Sequence, residues 1–478
     1  MLTSTRANKN VTSSMAIIEG ISNDGGLYVL NEIPKVSLDD LKNLSYKELA
    51  VEILSKFLTD FTKDELQYCV KEAYDKNFNT EEVVNVSKVN DHYYLELYHG
   101  PTLAFKDVAL TILPQLLKVS KEKNNVSSKT TILTATSGDT GSAALSGFSQ
   151  IEGIDIIVFY PDGGVSKIQE QQMLSFESSS AKTFAIKGNF DDCQSFVKKV
   201  FNEDFKGLSS ANSINIGRLV PQIVYYFYTY FKLLNEGEIK EGEKINFCVP
   251  TGNFGDILAG YYALQMGLPI NKLICASNIN NVLTDFFNTL TYDRNREFLK
   301  TTSPSMDILI SSNLERLLYH VTNDASLVKK YMEELKTTGK YTLDSAYKDK
   351  LSMFSAGYAS DEKGLQAIRQ EFKDTGYLMD PHTAVAKAVY DDYKNKTNDD
   401  TKTVILSTAS PYKFINSMAL ALELDMKDEF MLVDDIYNAS KMPIPNQIEE
   451  IRKNIKTNHK STLEEAYAYL EENLKWSK

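Results

Sequence analysis

Lys106 is the first residue in this chain placed to do covalent chemistry. It lies in ELYHGPTLAFKDVALTILPQLLK (96–118), after Pro101 stiffens the backbone and where a helix is expected to begin. Leu103, Ala104 and Phe105 precede it, and Val108, Ala109 and Leu110 follow closely. An isolated lysine is ordinarily a solvated surface residue. Apolar neighbours disfavour the ammonium form and leave a free amine, able to condense with an aldehyde or accept a proton.

Three other segments carry hydroxyls and glycines where a strand would hand over to a helix. In TATSGDTGSAALSGF (134–148), Ser137, Gly138, Asp139, Thr140 and Gly141 lead into a helix. Hydroxyls together with free helix amides suit a carboxylate or a phosphate, although a simple capping turn uses the same residues. In VPTGNFGDILAGYYA (249–263), Gly252, Asn253, Phe254, Gly255 and Asp256 form a second such turn. Two glycines within four residues let amides close around a phosphate. Neither GK[ST] nor GxGxxG is present, which argues against a nucleotide or dinucleotide fold. VILSTASPYKF (404–414) adds Ser407, Thr408 and Ser410 at a strand end, and alone it reads as the lead into a helix after Pro411. One reactive lysine, two anion-cradling turns and a hydroxyl-bearing strand end suit a cofactor with both an aldehyde and a phosphate. Pyridoxal phosphate is such a group.

These segments need a scaffold of strands and helices. Apolar runs at 130–136, 154–161, 182–188, 245–252, 272–278 and 403–409 alternate with helix-like stretches at 139–150, 191–203, 218–236, 255–266 and 280–290. That alternation predicts βαβ units and a mostly parallel sheet whose open carboxyl edge binds ligands. The run continuously apolar along most strands fits helices on both faces. Segments 37–58 and 62–78 have helical periodicity behind Ser37 and Thr62 as caps, predicting a mainly helical N-terminal domain over 1–90. We expect a smaller α/β domain over 91–180 and a large cofactor-binding α/β domain over 181–425 with a helical insertion near 304–375. A helical tail over 426–478 completes the chain. The 478 residues are too many for one ordinary core.

A formal charge of −12 argues against nucleic acid, whose phosphates demand a basic face. Cys69, Cys193, Cys248 and Cys275 form no CxxC pair and no metal-ligand spacing, His99 reads as positional, and no metal cluster forms around it or His382. No window approaches a membrane span or signal segment, so a cytoplasmic protein is expected; a monomer or homodimer is expected, although the sequence does not decide between them.

HGPTLAFKD (99–107), TATSGDTG (134–141), NSINIGRLVPQ (212–222) and PTGNFGD (250–256) resemble the signature segments of the threonine synthase family. So do DGGLYV (24–29), SNINNVLTDFF (277–287), SPSMDI (303–308) and DPHTAVA (380–386), in the same order along most of the chain. The likeness is to the long branch of that family. It implies a tryptophan synthase β-like fold (fold type II pyridoxal-phosphate enzyme), with two parallel-sheet α/β domains beside the N-terminal one. It implies Lys106 as the Schiff-base lysine, Gly252, Asn253, Phe254, Gly255 and Asp256 around the cofactor phosphate, and Thr408 at the ring nitrogen. By the same resemblance Asp139 lies near the ring oxygen, Ser137 and Thr140 hold substrate, and Asn212 and Arg218 meet its phosphate. No metal is implied. Ser410-Pro411 stands where long-branch relatives usually carry His-Pro.

The resemblance implies conversion of O-phospho-L-homoserine and water to L-threonine and phosphate, the last step of threonine biosynthesis. The neighbouring alternative is another enzyme of the fold class, such as a threonine or serine dehydratase or a cysteine synthase. NSINIGR and the N-terminal domain favour the first reading. A non-catalytic relative that only binds a phosphorylated metabolite would be expected to lack Lys106.

Overall fold

Apolar runs that cannot remain in water become the inner strands of two sheets. The structure is a computed structural model and describes residues 1–203, 205 and 207–474. The larger sheet has six strands in the order Phe354–Tyr358, Ile270–Ser277, Ile245–Pro250, Thr403–Ser407, His92–Glu96 and Asn85–Val89. Neighbours run parallel except the last pair, which is antiparallel. Its three central strands are buried at every residue, which is why INFCVP and TVILS show no polar alternation. The second sheet has five parallel strands in the order Lys460–Ser461, Ala181–Ile186, Ile154–Pro161, Thr130–Ala135 and Leu208–Ser209.

The two strand sets divide the chain differently from the expected bounds. His92–Glu96, read within the smaller domain, lies deep in the larger sheet, because HYYLE is apolar enough to be covered on both faces. Strands Ala181–Ile186 and Leu208–Ser209, read within the large domain, belong to the second sheet, and so does Lys460–Ser461 from the expected helical tail. The region near 304–375 contains helices Leu314–Thr322, Ala325–Thr337 and Asp361–Thr375, but also Phe354–Tyr358, a half-buried edge strand of the large sheet. Its small and polar residues FSAGY hid it from the apolar-run criterion.

Residues 1–90 are mainly helical but open with a three-stranded antiparallel sheet, Leu2–Ser4, Ala7–Val11 and Tyr28–Val29. Helix Lys63–Tyr74 starts behind Thr62 as expected, whereas the preceding helix starts at Tyr46, not near Ser37. There Ser45 accepts from the Glu48 amide and Glu48 reaches back, a capping box that outcompetes the earlier serine. All four cysteines are buried and free. No helix among the described residues is long and apolar enough to cross a membrane.

Candidate active site

Every segment singled out for chemistry leaves the carboxyl end of a parallel strand. Lys106 follows His92–Glu96, Ser137 follows Thr130–Ala135, Gly252 follows Ile245–Pro250 and Thr408 follows Thr403–Ser407. The Lys106 loop is zipped to the Thr408 loop: the Phe105 amide donates to Thr408 O at 2.8 Å and the Ser410 amide to Leu103 O at 3.0 Å. Leu103 adopts a left-handed φ of 62° at this turn. Asp107, fully buried, takes the Thr102 amide at 2.8 Å and the Thr102 hydroxyl at 2.6 Å, fixing the first turn of the Lys106–Leu110 helix. Gly100 permits this, since a Cβ there would meet the Asp107 side chain at 2.5 Å.

The Lys106 amine is itself buried. Its Nζ donates to Ser305 Oγ at 3.2 Å and stands 3.6 Å from Asp139 Oδ2. Burial brings its pKa down to about 8; Asp139 opposes that effect while the Lys413 and Arg218 charges reinforce it. Asp139 begins the helix Asp139–Phe148 and also receives Ser305 Oγ at 3.1 Å, Gln169 Nε2 at 2.9 Å and Lys413 Nζ at 3.2 Å. Its burial favours the neutral acid, but Lys413 and Lys106 outweigh that and hold it ionised well below the usual carboxylate range. The Ser305 amide donates to His382 Nε2 at 3.1 Å, so His382 Nδ1 is the protonated nitrogen, donating to Asp380 Oδ2 at 2.7 Å. His382 therefore positions the loop that carries Ser305.

The glycine turn forms a cradle at a helix start. A Cβ on Gly252 would lie 2.6 Å from Ser305 O, and Phe254 takes a left-handed φ of 65°. Helix Gly255–Met266 then begins without a side-chain cap, leaving its first amides for an anion. Ser311 Oγ donates to Gly252 O at 2.7 Å, and the Asn313 amide and side chain both reach Asn253 O. The Asp256 side chain does not face the turn: it accepts from Tyr225 at 2.5 Å and Tyr226 at 3.0 Å. Burial raises its pKa to about 7 against the pull of these two hydroxyls.

Arg218 is buried, held by Nη1 donating to Ala211 O at 2.9 Å, and its Nε meets no hydrogen-bond partner among the described residues. Burial lowers its pKa to about 10. A guanidinium so placed is a ready partner for an anion. It sits in the short helix Ile216–Leu219, whose start is capped by Asn215 Oδ1 on the Gly217 amide. Asn212 is exposed, with its amide on Ser210 Oγ. Ser137 and Thr140 are half-buried, and Thr136, not Ser137, takes the Gly138 and Gly141 amides at 3.0 and 2.9 Å. Thr408 is buried, its amide donating to Thr383 Oγ1 at 3.2 Å. Ser305, Lys413, Gln169 and Asn313 were not singled out from sequence; SPSMDI and SPYKF were noted only for likeness or for their strand end.

The buried amine and the uncapped glycine-lined helix start, both on carboxyl edges of parallel sheet, suit the aldehyde and the phosphate of pyridoxal phosphate. The fold and site define a pyridoxal-phosphate dependent enzyme of the tryptophan synthase β-like class. The family described as "Pyridoxal-phosphate dependent enzyme" matches residues 85–409, flanked by "Threonine synthase N terminus" over 1–74 and "Threonine synthase, C-terminal" over 383–459. Threonine synthase of Saccharomyces cerevisiae is 36% identical over 452 residues, covering 87% of each chain. Threonine synthase-like 1 of Homo sapiens is 40% identical over 86% of this chain, and the chain spans 58% of the length of that relative. Among solved structures, yeast threonine synthase superposes with a TM-score of 0.90 at 34% identity, and PLP-bound threonine synthase from Brucella melitensis with 0.87 at 35%. Each of these two alignments covers 98% of both chains. The chain belongs to the threonine synthase family.

Proposed function

We propose that this chain converts O-phospho-L-homoserine and water to L-threonine and phosphate. The observation that supports it most is a buried Arg218 with an unsatisfied Nε, whose charge acts on the buried amine of Lys106. Lys106 would hold the cofactor aldehyde, Gly252 to Gly255 would cup its phosphate through backbone amides, and Thr408 would serve the ring nitrogen. Asp139 would serve the ring oxygen. Bound there, pyridoxal phosphate would supply an electron sink for the reaction. The Lys106 amine would be the base that takes the proton from the substrate Cα and then serves Cβ. Ser305 and Asp139 accept and steady that amine between transfers. Ser137 and Thr140 hold the substrate carboxylate, while Arg218, with Asn212 at the rim, grips the phosphate that leaves from Cγ. Thr408 offers a hydroxyl, not a carboxylate, to the ring nitrogen, which favours elimination and replacement over transamination.

The test is to supply purified protein with phosphohomoserine and measure products. Threonine and inorganic phosphate should form in equal amounts. Turnover of serine, threonine or O-acetylserine with none from phosphohomoserine would replace this reading by a dehydratase or cysteine synthase.

A further inference from the structure

Lys413 has no part in the chemistry described so far. It is fully buried in the turn Pro411–Phe414, just beyond the strand end that carries Thr408. Its Nζ donates to Thr102 O at 2.6 Å and lies 3.4 Å from Ser142 Oγ and 3.2 Å from Asp139 Oδ1. Lys106 approaches the other oxygen, Oδ2, at 3.6 Å. One carboxylate is therefore shared by two buried amines from distant parts of the chain. The other charged or titratable groups acting on this trio are Asp107 on Lys413, Arg218 on Lys106 and His382 on Asp139.

Two like charges cannot both occupy so small a dry volume without cost, so the proton goes to the amine with better acceptors. Lys413 has a short bond to a carbonyl and a closer carboxylate oxygen. Lys106 has a serine hydroxyl and a longer reach to Asp139. We propose that Lys413 is a positioning residue: by holding Asp139 Oδ1 and Thr102 O it aims the carboxylate and shares its charge, so that Lys106 gives up its proton more readily than it would beside Asp139 alone. This rests on the reading of Lys106 as the cofactor lysine, and extends it to the residue that makes that lysine reactive.

The experiment uses full-length protein freed of cofactor, pulsed with acetic anhydride across a pH series, with acetylation of the Lys106 peptide read by mass spectrometry. The wild-type midpoint is expected at about 8. Lys413→Met should move it up by about one pH unit, because Asp139 then pairs with Lys106 alone, and Lys413→Arg should hold it near the wild-type position. An unmoved midpoint in folded Lys413→Met overturns the proposal. Should that variant not fold, the Asp139→Asn background decides. There, adding Lys413→Met raises the midpoint if the lysine charge acts on Lys106, and leaves it in place if Lys413 only packs. The two readings fail separately: a wild-type Lys106 that labels like a surface lysine and captures no pyridoxal phosphate sinks its cofactor role. An unmoved midpoint in a protein that still captures the cofactor sinks only the role of Lys413.

Discussion

A lysine does covalent chemistry at neutral pH only where its surroundings make the ammonium costly, and at Lys106 burial does so against the pull of Asp139. Lys106→Ala should remove the visible absorption of bound cofactor and lower turnover by about 10³-fold or more together, as absorption spectra and assay will show. A variant that keeps both would remove Lys106 from the mechanism. Capture of pyridoxal phosphate by cofactor-free protein should rise with pH and reach half its maximal rate near pH 8, where the amine loses its proton; stopped-flow absorption checks this. Arg218→Ala should reduce kcat/KM for phosphohomoserine by about 10²-fold or more while cofactor affinity changes only a few-fold. Arg218→Lys should not restore it, since an ammonium cannot copy the planar two-pronged contact. Comparable losses of substrate and cofactor binding would move Arg218 to the other phosphate. The apolar flanks of Lys106 are contiguous in sequence, so its character was legible there. The partners Ser305 and Asp139 were not, being 199 and 33 residues away in the chain.

At the scale of elements, the helix Gly255–Met266 joins cradle to core. Gly252→Ala places a methyl against Ser305 O and should weaken cofactor binding by about tenfold or more in a fluorescence titration, with a smaller effect on cofactor-free melting. Asp256 at this helix start makes a pH signature. Its folded pKa, about 7, exceeds the ordinary aspartate value of 3.8, so its stabilising contribution is complete below the lower value and is lost as pH rises through the upper. Asp256→Asn should accordingly melt close to wild type only at or below the ordinary value of 3.8, gain on it as pH rises from there to about 7, and hold a constant advantage beyond. A melting difference that is flat with pH would show that this carboxyl is ionised throughout. Strand ends and glycine turns were readable because turn chemistry belongs to neighbours in sequence. The edge strand Phe354–Tyr358 was missed because its small, half-buried residues make no apolar run.

Across the whole molecule, the N-terminal sheet is stapled to the site by residues that follow the Ser305 loop. Glu315 accepts from the Thr5 hydroxyl at 2.5 Å and from Arg6 Nη2 at 2.7 Å. Arg316, wholly buried, donates to Tyr28 O at 3.0 Å, to Ile214 O at 2.6 Å and to the Asn313 side chain. Asn313 in turn holds Ser213 O at 3.2 Å and Asn253 O at 3.1 Å, linking the Arg218 segment to the glycine cradle. Arg316→Ala should cost about 3 kcal/mol or more in chemical denaturation, because two buried carbonyls lose their donor together. A loss below about 1 kcal/mol would mean water replaces the guanidinium. By itself the sequence determined most of the inner strands, His92–Glu96 excepted, with the glycine turns at their carboxyl ends, the dry setting of Lys106 and the family likeness, since each is written in residues adjacent along the chain. Which sheet each strand joins, the sharing of Asp139 between Lys106 and Lys413, and the Asn313–Arg316 staple were decided only in the tertiary structure. The partner of a buried charge is chosen by what the folded sheets bring within about 3 Å of it, and no local pattern carries that distance.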